Sequence, residues 1–217
     1  MRPLVKICGL TRARDVEMCV RHGADIVGFV VEYPRSVPWN LDAQQAGRLI
    51  PEAAGQAKTC IVTGGSPEHV LRLAQETKPD YVQLHYRETP EETAIIAGEL
   101  AKRGIRVIKA LSPDSAELEA AADFETAGAW ALLLDPRAPD HAAQGGSVNF
   151  TAWQTLKKST RCPLILAGGL TPKNVTETIR RTGAEIIDLM TGVESSPGIK
   201  DEQKVKALFQ ALDSSGK

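Results

Sequence analysis

Two residues of this 217-residue chain stand where acid–base chemistry is done, Cys8 and Asp135. Cys8 closes the run Leu4-Val5-Lys6-Ile7-Cys8 just before Gly9, and Asp135 closes Leu132-Leu133-Leu134-Asp135. Both runs read as strands, in which alternate side chains share a face, so Leu4, Lys6 and Cys8 lie together. The carboxyl ends of strands are where α/β enzymes keep their reactive groups. A thiol there, activated as thiolate by neighbouring positive charge or amide dipoles, is a general base. A carboxyl group at the end of an apolar strand is partly desolvated, which favours its protonated form and suits a general acid. The plainer alternatives are a small buried hydrophobe for Cys8 and a loop-capping aspartate for Asp135. Cys19, Cys60 and Cys162 fit the first of these.

Other candidates gather at later strand ends. Ala167-Gly168-Gly169-Leu170 and Met190-Thr191-Gly192 place permissive backbone after two consecutive strands. The amides of Gly168, Gly169 and Gly192, with the Thr191 hydroxyl, form a candidate phosphate site; tight turns are the alternative. In Tyr81-Val82-Gln83-Leu84-His85, Gln83 and His85 share a face, either to meet a substrate or as a hydrogen-bonded structural pair. Arg35, in Tyr33-Pro34-Arg35-Ser36, sits on a loop from which a guanidinium can hold a carboxylate by a bidentate bond.

These residues need a scaffold, and the chain supplies a regular alternation. Strand-like apolar runs occur at Leu4–Cys8, Asp25–Val31, Ala57–Val62, Tyr81–His85, Arg106–Leu111, Trp130–Leu134, Leu164–Ala167 and Ile186–Met190. Most are continuous, as in parallel strands covered on both faces. Between them Arg12–His22, Pro67–Glu76, Pro90–Arg103 and Pro172–Arg181 are amphipathic. Ser66-Pro67, Thr89-Pro90, Ser112-Pro113 and Thr171-Pro172 each predict a hydroxyl cap with proline at the first helical position. Thr11 is placed to cap the first helix, and Gly23, Gly104 and Gly183 to end helices. Eight such units predict an α/β fold, a (β/α)8 TIM barrel forming one domain over residues 1–217. A doubly wound sheet is the runner-up. Closure would set the last strand beside the first, so that Asp188 pairs with Lys6, which would be costly to bury alone. That pair supports the site, with Asp188 counted among the substrate contacts.

Composition narrows the function. A formal net charge of −1 offers no general attraction for nucleic acid or an anionic membrane. The four cysteines and four histidines are scattered, with no zinc spacing, so no metal is expected. No strand-linked GxGxxG or P-loop points to a nucleotide. Arg2 and Pro3 lead straight into the first strand, and no apolar stretch is long enough to span a bilayer, so free thiols in a cytoplasmic protein are expected.

The chain resembles phosphoribosylanthranilate isomerase, a barrel enzyme of tryptophan biosynthesis, along nearly its whole length. The resemblance rests on Lys6-Ile7-Cys8-Gly9-Leu10-Thr11, Gly23-Ala24-Asp25-Ile26-Val27-Gly28-Phe29, Val82-Gln83-Leu84-His85 and Val107-Ile108-Lys109-Ala110. It continues through Leu133-Leu134-Asp135, Ala167-Gly168-Gly169-Leu170 and Gly192-Val193-Glu194-Ser195-Ser196-Pro197-Gly198-Ile199-Lys200-Asp201. It implies an Amadori rearrangement of N-(5′-phosphoribosyl)anthranilate in which Asp135 is the acid and Cys8 the base. It further implies that Arg35 meets the anthranilate carboxylate and that the glycines hold the phosphate. Proton transfer throughout requires neither metal nor organic cofactor. The expected partner is a phosphorylated small molecule, and the expected assembly a monomer or homodimer.

Departures from the family pattern fall on loops. Arg35 is shifted within Val31-Glu32-Tyr33-Pro34-Arg35-Ser36-Val37-Pro38-Trp39. Gly145-Gly146-Ser147-Val148 stands where relatives read Gly-Gly-Thr-Gly, Thr191 replaces a serine, and Tyr86 replaces a glycine after His85. Two alternatives follow: a paralogue acting on another phosphorylated aminosugar, or an inert barrel that binds a phosphorylated ligand.

Overall fold

Eight parallel strands close on themselves in sequence order: β1 (Leu4–Ile7), β2 (Ile26–Val30), β3 (Lys58–Thr63), β4 (Tyr81–Leu84), β5 (Arg106–Leu111), β6 (Ala131–Leu134), β7 (Leu164–Leu166) and β8 (Ile186–Leu189). The structure is a computed structural model and describes residues 2–53, 55–136 and 147–214. Gly145 and Gly146 lie outside the described residues. Every strand boundary falls within one residue of the sequence expectation. Closure is made by β1 against β8, whose register sets Lys6 opposite Asp188.

The strands are apolar on both faces because both are covered. Outward residues such as Val5, Ile7, Val27, Phe29 and Ile61 pack beneath the helices. Inward residues such as Ile26, Cys60, Val62, Ile108 and Ile165 fill the barrel. The surrounding helices are α1 (Ala13–Arg21), α2 (Ala43–Leu49), α3 (Pro67–Thr77), α4 (Pro90–Ala101), α5 (Ser115–Glu119), α6 (Ala121–Thr126), α7 (Phe150–Ser159), α8 (Val175–Thr182) and α9 (Glu202–Ser214). A small antiparallel hairpin, β9 (Glu194–Ser196) and β10 (Ile199–Lys200), follows the eighth barrel strand. No helix among the described residues is long and apolar enough to cross a membrane.

Two of the predicted hydroxyl–proline caps form. The Ser66 Oγ accepts from the His69 amide at 3.4 Å, and Thr89 and Glu92 complete a reciprocal capping box on α4. The other expectations need correction. Thr11 does not cap α1: its Oγ1 donates to the Gly198 carbonyl at 2.6 Å, and Arg12 holds the cap position without a capping side-chain bond, its guanidinium turned to the Asp15 carboxylate. A tertiary partner has taken the hydroxyl. At α5 the cap is Asp114, whose carboxylate accepts from the Ala116 amide at 3.0 Å, leaving Pro113 before the helix. α8 begins at Val175, after a turn in which the Asn174 Oδ1 accepts from the Thr171 amide at 2.8 Å. Asp and Asn side chains satisfy turn amides as readily as a hydroxyl does, so the first candidate in sequence need not be the cap. Gly183 ends α8 in the left-handed region as expected, whereas α3 ends on left-handed Lys78 without a glycine.

Candidate active site

Cys8 lies one residue past β1, where its amide still donates to the Leu189 carbonyl at 2.8 Å and extends the pairing with β8. The chain then turns through Gly9, which has a positive φ of 71°. Asp135 occupies the equivalent place after β6, its amide bonded to the Leu111 carbonyl at 3.0 Å. Both side chains are almost fully buried, yet both line one pocket at the carboxyl ends of the strands. Gln83, His85 and Asp188 line it too, and so do Gly168, Gly169, Thr191 and Gly192. Arg35 is not among the lining residues. It is exposed, with its guanidinium 5.9 Å from the centre of the Tyr86 ring.

The electrostatics of the Cys8 side are set within the barrel. Lys6 is completely buried and donates from Nζ to the Asp188 Oδ2 at 2.8 Å, as barrel closure requires. Burial works most strongly against the Lys6 charge, but the Asp188 carboxylate, with the Cys8 and Cys60 sulfurs adding to it, holds the ammonium above its ordinary range. Burial pushes the Cys8 thiol up as well; Lys6 opposes this and Asp188 adds to it. Burial of the sulfur therefore disfavours its charged form, and Lys6, itself paired with a carboxylate, opposes this only in part.

On the opposite side a short relay leads to Asp135. Gln83 Nε2 stands 3.1 Å from His85 Nδ1, and His85 Nε2 stands 3.6 Å from Asp135 Oδ2. The first distance is a hydrogen bond; the second is too long for one. The Tyr33 hydroxyl fixes the same turn by donating to the His85 carbonyl at 2.8 Å. Gln83 Oε1 is buried and has no hydrogen-bond partner among the described residues, although it belongs to a residue lining the pocket.

The glycine loops after β7 and β8 pack backbone against backbone. A Cβ on Gly192 would overlap the Leu170 carbonyl oxygen, and one on Gly168, whose φ is 92°, would overlap the Pro136 ring. Tight packing and a backbone surface open to a ligand coincide here, so the two readings of these glycines are compatible.

Trp39 was not singled out from sequence, yet it lines the pocket. Its indole Nε1 donates to Glu194 Oε1 at 2.9 Å, and the same oxygen accepts from Lys200 Nζ at 2.7 Å. The loop after β2 is thereby tied to the β9–β10 hairpin through a buried ion pair. The available signal was a glutamate and a lysine closely spaced around Ser195-Ser196-Pro197-Gly198, a turn that brings them together.

The family model for N-(5′-phosphoribosyl)anthranilate (PRA) isomerase matches residues 5–211. The chain belongs to the PRA isomerase family. The PRA isomerase of Erythrobacter litoralis is 38% identical over 212 residues, covering 96% of this chain and 97% of its own. That of Paramagnetospirillum magneticum is 37% identical over 211 residues, covering 95% of each chain. Among solved structures, the isomerase from Thermotoga maritima matches with a TM-score of 0.82 at 30% identity, over 98% of this chain and 99% of its own. A further PRA isomerase, solved in complex with reduced 1-(o-carboxyphenylamino)-1-deoxyribulose 5-phosphate, matches with a TM-score of 0.80 at 29% identity, over 98% of this chain and 99% of its own. The PRA isomerase barrel is thus the fold of this chain, and Lys6–Thr11 forms the end of β1 and the turn beside its pocket.

Proposed function

We propose that this chain converts N-(5′-phosphoribosyl)anthranilate into 1-(2-carboxyphenylamino)-1-deoxyribulose 5-phosphate in tryptophan biosynthesis, with Asp135 as acid and Cys8 as base. The observation that carries this reading is the shared pocket: one sulfur, one carboxyl group and two glycine loops face the same space. A substrate with its phosphate on the backbone of Gly168, Gly169 and Gly192, near Thr191, would present its sugar to the two side chains.

Asp135 gives its proton to the ribose ring oxygen as the C1′–O bond breaks, and the aniline nitrogen supplies the electron pair that forms a Schiff base. Cys8, as thiolate, removes the C2′ proton, and those electrons form the C1′–C2′ double bond of an enolamine. Tautomerisation puts a proton on C1′ and leaves a ketone at C2′. The bond changes are all driven by proton transfer and balance within the substrate, so no external oxidant or reductant is required. His85, held by Gln83, faces Asp135 and would contact the sugar. Asp188, paired with Lys6 beneath Cys8, and Arg35, on the loop after β2, would complete the substrate contacts, with Arg35 meeting the anthranilate carboxylate. The enzyme would act in the cytoplasm as a monomer or homodimer.

Growth rescue of a tryptophan auxotroph lacking this isomerase tests the reading. We expect rescue by the chain, and loss of rescue by soluble Cys8→Ala and Asp135→Asn. Rescue by either variant would remove that residue from its role. Failure of the soluble parent chain would favour another aminosugar phosphate, and ligand binding without turnover would favour an inert barrel.

A further inference from the structure

Lys6 is a buried charge that the steps above do not use. It sits inside the barrel on the same strand face as Cys8, two residues nearer the base. The side chains filling the barrel around it include Ile26, Cys60, Ile108, Ala131 and Ile186. Packing does not demand an ion pair there, because well-fitted apolar replacements of buried pairs are commonly neutral or stabilising. The Lys6–Asp188 pair therefore calls for another explanation.

We propose that Lys6 is a positioning residue that acts through Cys8: its fixed cation makes the buried thiol able to release its proton, and Asp188 limits that effect. The proposal rests on Cys8 being the base.

The charged and titratable groups around Cys8 support this division. Lys6 comes from β1, Asp188 from β8, Cys60 from β3 and Lys200 from β10. Asp135 and His85, after β6 and β4, line the same pocket. Lys200 is committed to Glu194 at 2.7 Å and to the Met190 carbonyl at 3.4 Å. Among the described residues Lys6 forms an ion pair with one carboxylate, Asp188, at 2.8 Å. With that carboxylate charged, the pull of Lys6 on the sulfur is weakened but not abolished. Where the carboxylate is removed, the sulfur becomes the nearest group able to balance the ammonium, and thiolate is favoured.

The two partners therefore have opposite effects, which a purely structural pair would not. The probe is iodoacetamide, with the alkylation rate of Cys8 followed by peptide mass spectrometry across a pH series. Asp188→Asn should raise the rate about tenfold at a pH below the thiol's titration, and Lys6→Met should lower it about tenfold, each matching one pKa unit. The double variant Lys6→Met/Asp188→Asn should fall between them and serves if Lys6→Met does not fold. For activity, Lys6→Met should move the acidic limb of kcat/KM upward by about one pH unit, with a smaller change in KM. Unchanged alkylation, shifts of the same sign, or a lower kcat with an unmoved limb would overturn the proposal. Near-normal turnover by Cys8→Ser would instead overturn the base role, while the alkylation series would still report on Lys6.

Discussion

A Cβ at position 28 would lie 2.9 Å from the Cys8 Sγ and 3.2 Å from the Cys8 Cα, so Gly28 on β2 is what lets Cys8 sit against the neighbouring strand. The sulfur is placed by the absence of a side chain next to it. Gly28→Ala would push on the Cys8 backbone as well as its thiol. It should cost about 1–3 kcal/mol, the usual range for overpacking. It should also lower kcat by as much as about a hundredfold, since a misplacement of about 1 Å can do that. Denaturant titration and steady-state kinetics check both; an unchanged kcat would contradict the importance given to the sulfur's position.

The glycine cradle makes a different prediction. In Gly192→Ala the new methyl group would overlap the Leu170 carbonyl, forcing the loops after β7 and β8 apart. Phosphate affinity should fall before the chemistry does. We expect KM to rise about tenfold, equivalent to about 1.4 kcal/mol, with a smaller change in kcat. Inhibition by inorganic phosphate should weaken in parallel. A fall in kcat alone would place the damage elsewhere.

The turn that presents His85 is held from behind by a third buried ion pair. Lys109 Nζ donates to Glu88 Oε2 at 2.8 Å and to the Tyr86 carbonyl at 3.0 Å, while Glu88 accepts from the Gly65 and Tyr86 amides. Lys109→Met leaves a carboxylate buried without its cation and should cost about 3–5 kcal/mol. The double variant Lys109→Met/Glu88→Leu should recover part of that loss. Urea denaturation of the two variants decides it, and equal stability of the single and double variants would mean the charge is not the cause.

Alkaline stability follows from the thiols inside the barrel. Burial pushes Cys60 up to about 12 from an ordinary 9.0. Below pH 9.0 both folded and unfolded chains hold the proton, so the thiol adds no pH dependence. Between there and about 12 only the unfolded chain releases it, and folding stability falls as pH rises. The melting temperature should decline over that window, and Cys60→Val should reduce the slope. An identical slope would show that Cys60 does not titrate this way.

Much of the scaffold was legible because it is written in local periodicity. Continuous apolar runs such as Leu132–Leu134 demand cover on both faces, and their regular recurrence leaves few arrangements besides a closed barrel. Closure in turn made the Lys6–Asp188 contact predictable from strands at opposite ends of the chain. The same local reasoning failed at Thr11, Pro113 and Pro172. In each case a cap signal was present, but a partner distant in sequence or a better acceptor nearby satisfied the backbone or took the hydroxyl.

The sequence by itself determined the strand ends, and with them the positions of Cys8, Asp135 and the paired glycines, because side-chain alternation and turn residues act over a few neighbours. Only the tertiary structure decided the burial of that sulfur beside the Lys6–Asp188 pair, the place of Arg35 near the Tyr86 ring and the link from Trp39 through Glu194 to Lys200. Those depend on how much water each group loses and which distant groups it meets. Both quantities exist only once the chain has closed.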